Sequence, residues 1–372
     1  MNLKKKIKFL NLKKINFQSS KLSFNKIRNY LLNGIYILEK NVDKFEESFA
    51  KFNGAKYCVG VNSGHDALKI ALMAYNIGKN DKVIVPSQTF ISTWFAVSEI
   101  GAIPVPCDIH LDDGLINVDK LPKKPNNIKA LIAVNLFGSL CNYSALRRYC
   151  NKHKIVLIED ASQSNGAYFL KSKKKFHGDI ACFSFYPGKN LGSIFDSGAI
   201  LTNSRIKYKL LKKIRNYGSD KRYYHNILGM NSRLNGISAI FLLNKLKFLK
   251  KEIQIRNMQI NEYLKYLQKS NVSFLKRKKE QQSSNHLFLI LIDRRNKLKK
   301  FLDKNNIETI VHYPIIPPKQ KFYKSNYIKY KKDYIHAETL AKKSLSLPIG
   351  SHLTTNDIRI VASKINQFFA KN

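Results

Sequence analysis

The chain is short of acid. Its 372 residues carry 25 aspartates and glutamates against 66 lysines and arginines, a formal net charge of +41. Such a balance ordinarily points to nucleic acid or an anionic membrane as partner. Here the lysines run through the whole chain, with KKKIK, KSKKK and KRKKE as local clusters and no single block or aromatic-laced stripe. Lys, Ile and Asn are enriched together, as in an A+T-rich coding sequence, so most of the charge reads as solvated surface and no specific nucleic acid is expected. Cysteine is scarce as well. Cys58, Cys107, Cys141, Cys150 and Cys182 are odd in number, form no C-x-x-C pair and lie in several cases within apolar runs. That excludes a disulfide framework and suits a reduced, cytoplasmic protein. Long apolar stretches are missing too: the basic start MNLKKKIKFLNLKKINF lacks a signal peptide's uninterrupted apolar segment, and nothing is long enough to cross a bilayer.

What is present is an alternation. Residues 1 to about 22 read as a basic arm, and Ser23 to Ala50 as helix broken at Asn33 and Gly34. Apolar runs at Tyr57 to Val61, Lys82 to Val85, Ile103 to Pro106, Ala130 to Leu136, Ile155 to Ile158, Ile180 to Phe185 and Gly198 to Thr202 read as strands, mostly separated by helical patterns. Strands without strict alternation, joined through helices, predict an α/β fold with a mainly parallel sheet covered on both faces. A long helix from Ile237 to about Leu267 then leads into a smaller α+β domain, with strands at His286 to Ile292 and Ile307 to His312 and helices at Tyr334 to Ser344 and Thr355 to Phe369. The expected division is a large domain over 1–245 and a small one over 246–372.

Ligands of such sheets bind beyond the carboxyl ends of the strands. Ser63 and Gly64 follow the first strand, Gln88 to Phe90 the second, Asp160 and Gln163 the fifth, and Lys189 the sixth. Lys189 stands between two glycines in PGKNLG, too irregular for a helix interior. An amine and a carboxylate delivered from two strand ends suit a pyridoxal phosphate site, the lysine forming the Schiff base and the carboxylate pairing with the pyridinium nitrogen. The turn VNSGHDAL offers free N–H groups at a helix start, which fits a phosphate or an ordinary strand-to-helix turn. Phe90 fits ring stacking or core packing, and Ser184 a phosphate contact or a tight sheet position. No metal site is read.

The runs VNSGHDALKIAL, VPSQTFISTWFAVSEIGAIPV, IEDASQSNGAY, GDIACFSFYPGKNLG, IRNYGSDKRYYH and GMNSRL, with HYP and LSLP after them, resemble the sugar aminotransferases of the DegT/DnrJ/EryC1/StrS family over nearly the whole chain. Within it, FYPGKNLG with RNYGS and NSRL is most similar to enzymes that aminate C3 of dTDP-3-keto-6-deoxyhexoses. The resemblance implies a fold type I, pyridoxal 5'-phosphate-dependent aminotransferase acting as a homodimer with shared active sites, taking glutamate and a dTDP-linked keto sugar. Lys189 matches the catalytic lysine that bears the cofactor, Asp160 the pyridinium partner, Gln163 its neighbour and Phe90 the stacking ring. Gly64 and His65 match the phosphate turn, Ser184 the phosphate serine, and Asn231 the residue that reaches the partner's phosphate. Tyr217, His312 and Tyr313 match positions beside the sugar nucleotide, with Lys221, Tyr224 and His225 as weaker candidates.

Two departures stand out. His65 replaces the threonine of the common S-G-T, and Phe195 and Ser197 stand where small glycines are usual. Amination at C4 is the alternative within the family. A sugar dehydratase would carry histidine in place of the lysine, and a non-catalytic nucleic-acid-binding protein would need a basic groove with interleaved aromatics.

Overall fold

Charge-rich as it is, the start of the chain folds. In the computed structural model, which describes residues 6–172, 175–268, 270–326 and 334–370, helix α1 spans Leu12–Leu32 and is capped by the Asn11 side chain. The expected arm is therefore helical from Leu12 onward. Its inward positions are Asn16, Ser19, Ser23 and Tyr30, so no apolar stripe marks it in the sequence. Helix α2, Lys40–Asn53, does carry such a stripe in Val42, Phe45 and Phe49, and stops at Gly54 in the left-handed conformation (φ 68°).

The large sheet has seven strands: β1 Tyr57–Val61, β2 Lys82–Pro86, β3 Ile103–Cys107, β4 Ile128–Val134, β5 Val156–Asp160, β6 Ile180–Ser184 and β7 Gly198–Thr202. Their spatial order is β1-β7-β6-β5-β4-β2-β3. Strands β2 to β6 pair in parallel, while β7 runs antiparallel to both of its neighbours, β6 and β1. Consequently β1, β2, β5 and β6 all end at one edge. Helices α3 (Gly64–Ala74), α4 (Ile91–Ser98), α5 (Tyr143–His153) and α6 (Arg205–Ile214) are among those that clothe it. A buried Arg215–Glu46 pair fixes α2 to the chain after α6, and both side chains also bond the backbone of Gly60 in β1.

The anticipated helix over Ile237 to Leu267 is two helices, α7 (Gly236–Leu246) and α8 (Leu249–Leu267). They serve different partners: α7 packs on α1 and α2, and α8 on the helix Thr355–Ala370. Beyond them a three-stranded antiparallel sheet, β8 (Ser273–Phe274), β9 (Phe288–Leu291) and β10 (Ser344–Leu347), carries a second core with Ile260, Leu298, Leu302, Val361 and Ile365. The expected strand at Ile307 to His312 forms only single bridges, Ile307 to Ile7 and Ile310 to Ser346, because it meets one residue on each side. All five cysteines are free and buried. Among the described residues no helix is long and apolar enough to cross a membrane.

Gly198 lies opposite both Val61 and Ser184, and a Cβ there would stand 2.4 Å from Ser63 O and 2.9 Å from Gly64 N. Backbone cannot give way as a flexible side-chain end can. Gly198→Ala should cost about 1–3 kcal/mol, seen as a lower urea midpoint at unchanged slope; an unchanged midpoint would show that the approach is not tight.

Candidate active site

Strand β6 runs out at Ser184 into a loop that is tied down along its length. Phe185 N–H donates to Ser197 O and Ser193 N–H to Phe185 O, each at 2.7 Å. The buried Lys245 of α7 donates to Gly192 O at 2.8 Å and to Asn16 Oδ1 of α1 at 2.7 Å. Asn190 Nδ2 donates to Ser284 O of the C-terminal region at 2.7 Å. Held in this loop, the Lys189 amine is pushed down to about 8 by burial, against the opposing pull of the Asp160 carboxylate. An ordinary lysine titrates at about 10.4.

Asp160 closes β5 and is buried. Its Oδ2 accepts from Thr93 Oγ1 at 2.9 Å and its Oδ1 from Ser162 N–H at 3.1 Å, so both carboxylate oxygens are held in place by donors. Thr93 belongs to the first turn of α4, three residues beyond Phe90. The ring of Phe90 is 53% exposed, and Phe90 makes no side-chain cap bond at the start of that helix.

The cradle for an anion is built by close approach. Helix α3 begins at Gly64, with the Ser63 hydroxyl capping Asp66 N–H at 3.0 Å. A Cβ on Gly64 would lie 2.6 Å from Ser184 Cβ and 3.2 Å from its hydroxyl. Thus the Ser184 hydroxyl stands beside the helix start, where first-turn N–H groups have no partner within the helix. The His65 ring is turned to other work: Nδ1 is 2.9 Å from Ser92 Oγ and Nε2 3.1 Å from Glu99 Oε2, which also receives Lys69 at 2.8 Å. His65 therefore links α3 to α4 and leaves only its backbone to the cradle.

Gln163 Oε1 accepts from Phe137 N–H at 2.7 Å and Nε2 donates to the Tyr313 hydroxyl at 3.1 Å. The Tyr313 ring lies 5.6 Å from that of Phe90 at 44°. Burial raises the Tyr313 hydroxyl above its usual range. His312 Nδ1 is 2.9 Å from Ser346 Oγ, and burial, with the Lys189 charge second, takes its imidazole down to about 4. His312 is thus neutral at physiological pH.

Lys189, Asp160, Gln163, Phe90, Tyr313, His312 and the Gly64–Ser184 cradle form one cluster. Tyr217 and Asn231 do not join it within this chain. Asn216 bridges Asn231 at the base of an exposed hairpin, Ser219–Lys221 with Tyr224–His225, and Tyr217 O faces the His225 ring nitrogen at 2.9 Å. Phe195 is exposed beside the lysine loop. The sequence reading passed over Thr93, Asn190 and His286. Thr93 had a signal, being one helical turn from Phe90, whereas the other two act over separations that no local pattern reports.

A family model described as the DegT/DnrJ/EryC1/StrS aminotransferase family matches residues 18–366. The dTDP-3-amino-3,6-dideoxy-alpha-D-galactopyranose transaminase of Aneurinibacillus thermoaerophilus is 36% identical over 365 residues, 97% of this chain and 99% of that protein. The dTDP-3-amino-3,4,6-trideoxy-alpha-D-glucose transaminase of Streptomyces venezuelae is 36% identical over 88% of this chain and 86% of its own. Among solved structures, S. venezuelae DesV in complex with a ketimine intermediate superposes with a TM-score of 0.94 at 34% identity, covering 98% of each chain. NtdA of Bacillus subtilis with bound cofactor PMP gives 0.91 at 25% identity, over 98% of this chain and 85% of that one. The residues present fit a phosphate-bearing pyridine cofactor: an amine of lowered basicity, a buried carboxylate, an exposed ring face and a cradle that any Cβ at residue 64 would fill.

In the cofactor-free protein, Lys189 should react with an amine-selective acylating reagent with a midpoint near pH 8. Asp160→Asn should move that midpoint lower, since the carboxylate opposes the effect of burial. Peptide mapping across a pH series reads both, and an upward move would rule out Asp160 as the acidic neighbour.

Proposed function

The chain belongs to the DegT/DnrJ/EryC1/StrS aminotransferase family, and from that premise we propose that it moves an amino group from glutamate to C3 of a dTDP-linked 3-keto-6-deoxyhexose. It is an enzyme of pyridoxal phosphate. The observation that carries the reading is the Lys189 amine, brought down to about 8 with Asp160 as its acidic neighbour at the sheet edge where cradle and rings converge. The two relatives, both transaminases of dTDP-linked 3-amino sugars by name, support C3.

The cofactor, when bound, supplies the electron sink and carries the amino group between two half-reactions. Lys189 would anchor it, Asp160 would meet its ring nitrogen, and Phe90 would cover a ring face, with Gln163 alongside. The first-turn N–H groups at Gly64 and His65 and the Ser184 hydroxyl would take its phosphate, joined by Asn231 of the partner subunit. Lys189 Nζ then moves the proton. An amine with a pKa near 8 takes a proton and returns it at neutral pH with little driving force wasted either way. The donors on both oxygens of Asp160 hold it oriented through this exchange. His312, neutral and held by Ser346, and the Tyr313 hydroxyl, held by Gln163, present polar groups for the sugar without adding charge beside the amine. Tyr217 belongs to the substrate side as well.

The active unit is a homodimer in this reading. Its support is the apolar surface left open on one chain: Phe24, Leu31 and Leu32 on α1, and Tyr223 and Leu228 around the hairpin that precedes Asn231.

Offered glutamate with the 3-keto and with the 4-keto sugar nucleotide, the enzyme should aminate the 3-keto sugar, with the new amine at C3 by NMR, and leave the 4-keto sugar unchanged, and Lys189→Ala should abolish turnover. Product aminated only at C4 would refute the regiochemistry and leave the transaminase intact. Mixing inactive Lys189→Ala and Asn231→Ala chains should restore part of the activity, because one site of each mixed dimer keeps both groups; no restoration would count against shared sites.

A further inference from the structure

The corner that presents Lys189 is held from the C-terminal region through its neighbour Asn190, which is 4% exposed. Asn190 Nδ2 faces a carbonyl, Ser284 O, at 2.7 Å, so that atom must be the amide donor and Oδ1 the acceptor. His286 Nδ1 lies 3.1 Å from that Oδ1 and must carry the proton. A neutral ring in this tautomer leaves Nε2 with a lone pair. The segment that carries the histidine is itself fastened on both sides. Ser284 Oγ donates to Gln163 O at 2.8 Å and Ser284 N–H to Gly138 O at 3.0 Å, while the buried Arg256 Nη1 donates to His286 O at 3.0 Å. A Cβ at Gly138 would stand 2.6 Å from Ser284 Oγ and 2.8 Å from the amides of Asn285 and His286, so this segment lies hard against the loop after β4.

We propose that His286 is a positioning residue for the reactive lysine, its Nδ1–H holding Asn190 so that the Lys189 corner stays seated against the segment Ser283 to Leu287. The proposal rests on the reading of Lys189 as the cofactor-bearing lysine. Two features make the ring suited to the task. Burial first, then the charges of Lys189 and Arg256, hold its pKa well below the usual imidazole range, so the ring is neutral and adds no repulsion beside the amine. Its grip on Asn190 also adds to that of Lys245 on Gly192, so the loop is restrained at two points shortly after residue 189.

The two amide replacements separate the ring's nitrogens, since Asn places its NH2 where Nδ1 sits and Gln places it where Nε2 sits. His286→Asn should keep kcat within about threefold of wild type, while His286→Gln and Asn190→Ala should lower it roughly 10- to 100-fold at little change in KM, as a misplaced reacting group does. In the cofactor-free forms of these last two, water reaching the loosened amine should raise the Lys189 labelling midpoint from about 8 toward the value of an exposed lysine. A change that only weakened the fold elsewhere would not move that midpoint. Equal loss in the Asn and Gln variants, or a milder Gln variant, overturns the proposal.

Should the variants not fold, wild-type protein labelled with 15N-histidine decides. His286 should appear as the neutral Nδ1–H tautomer from about pH 6 to 9, and the Nε2–H tautomer overturns it. Borohydride reduction of the loaded enzyme followed by peptide mapping tests the underlying reading separately, because label on a lysine other than Lys189 removes that reading whatever the histidine does.

Discussion

Keeping one amine out of bulk water, yet within reach of a carboxylate, is the demand that organises this molecule. A buried ammonium is costly, so burial lowers the basicity of Lys189, and the nearby Asp160 limits how far. The balance holds only while the loop Phe185 to Ser197 stays in place. Its restraints come from within, through Ser193 and Ser197, and from distant parts of the chain: α7 and α1 through Lys245 and Asn16, and the C-terminal region through Ser284 and His286. The C-terminal region is therefore tied to the loop at the residue next to Lys189.

Strand geometry sorts two adjacent acids into different roles. Glu159 and Asp160 are consecutive in β5 and point to opposite faces. Glu159 is fully buried, accepts from Asn135 Nδ2 and from the N–H groups of His177 and Gly178, and burial lifts it to about 7. It fastens a loop to the sheet. Asp160 turns to the edge, takes its donors from Thr93 and Ser162, and faces the lysine. Neither role follows from the carboxyl group itself.

His65 shows how a local departure is absorbed. The imidazole reaches Ser92 in the first turn of α4 and Glu99 just past its end. It joins the helix that starts at the phosphate turn to the helix that starts at Phe90. The cradle is left to backbone N–H groups and Ser184, which the close approach of Gly64 and Gly198 already brings together.

By itself the sequence determined the alternation of strands and helices, the sheet edge at which Ser63, Phe90, Asp160 and Lys189 emerge, and the family through motifs in order. These are local properties: apolar period, glycine punctuation and short runs of residues survive without knowledge of what touches what. The helical start was not legible because α1 buries asparagine and serine, and the break between α7 and α8 was not because both halves are apolar on one side. Only the tertiary structure decided that β7 runs antiparallel, that the His65 ring leaves the phosphate turn, and that Asn190 and His286, 96 residues apart, share a hydrogen bond beside the lysine. Such pairings depend on which surfaces meet once the chain has closed, and no pattern along the chain carries that information.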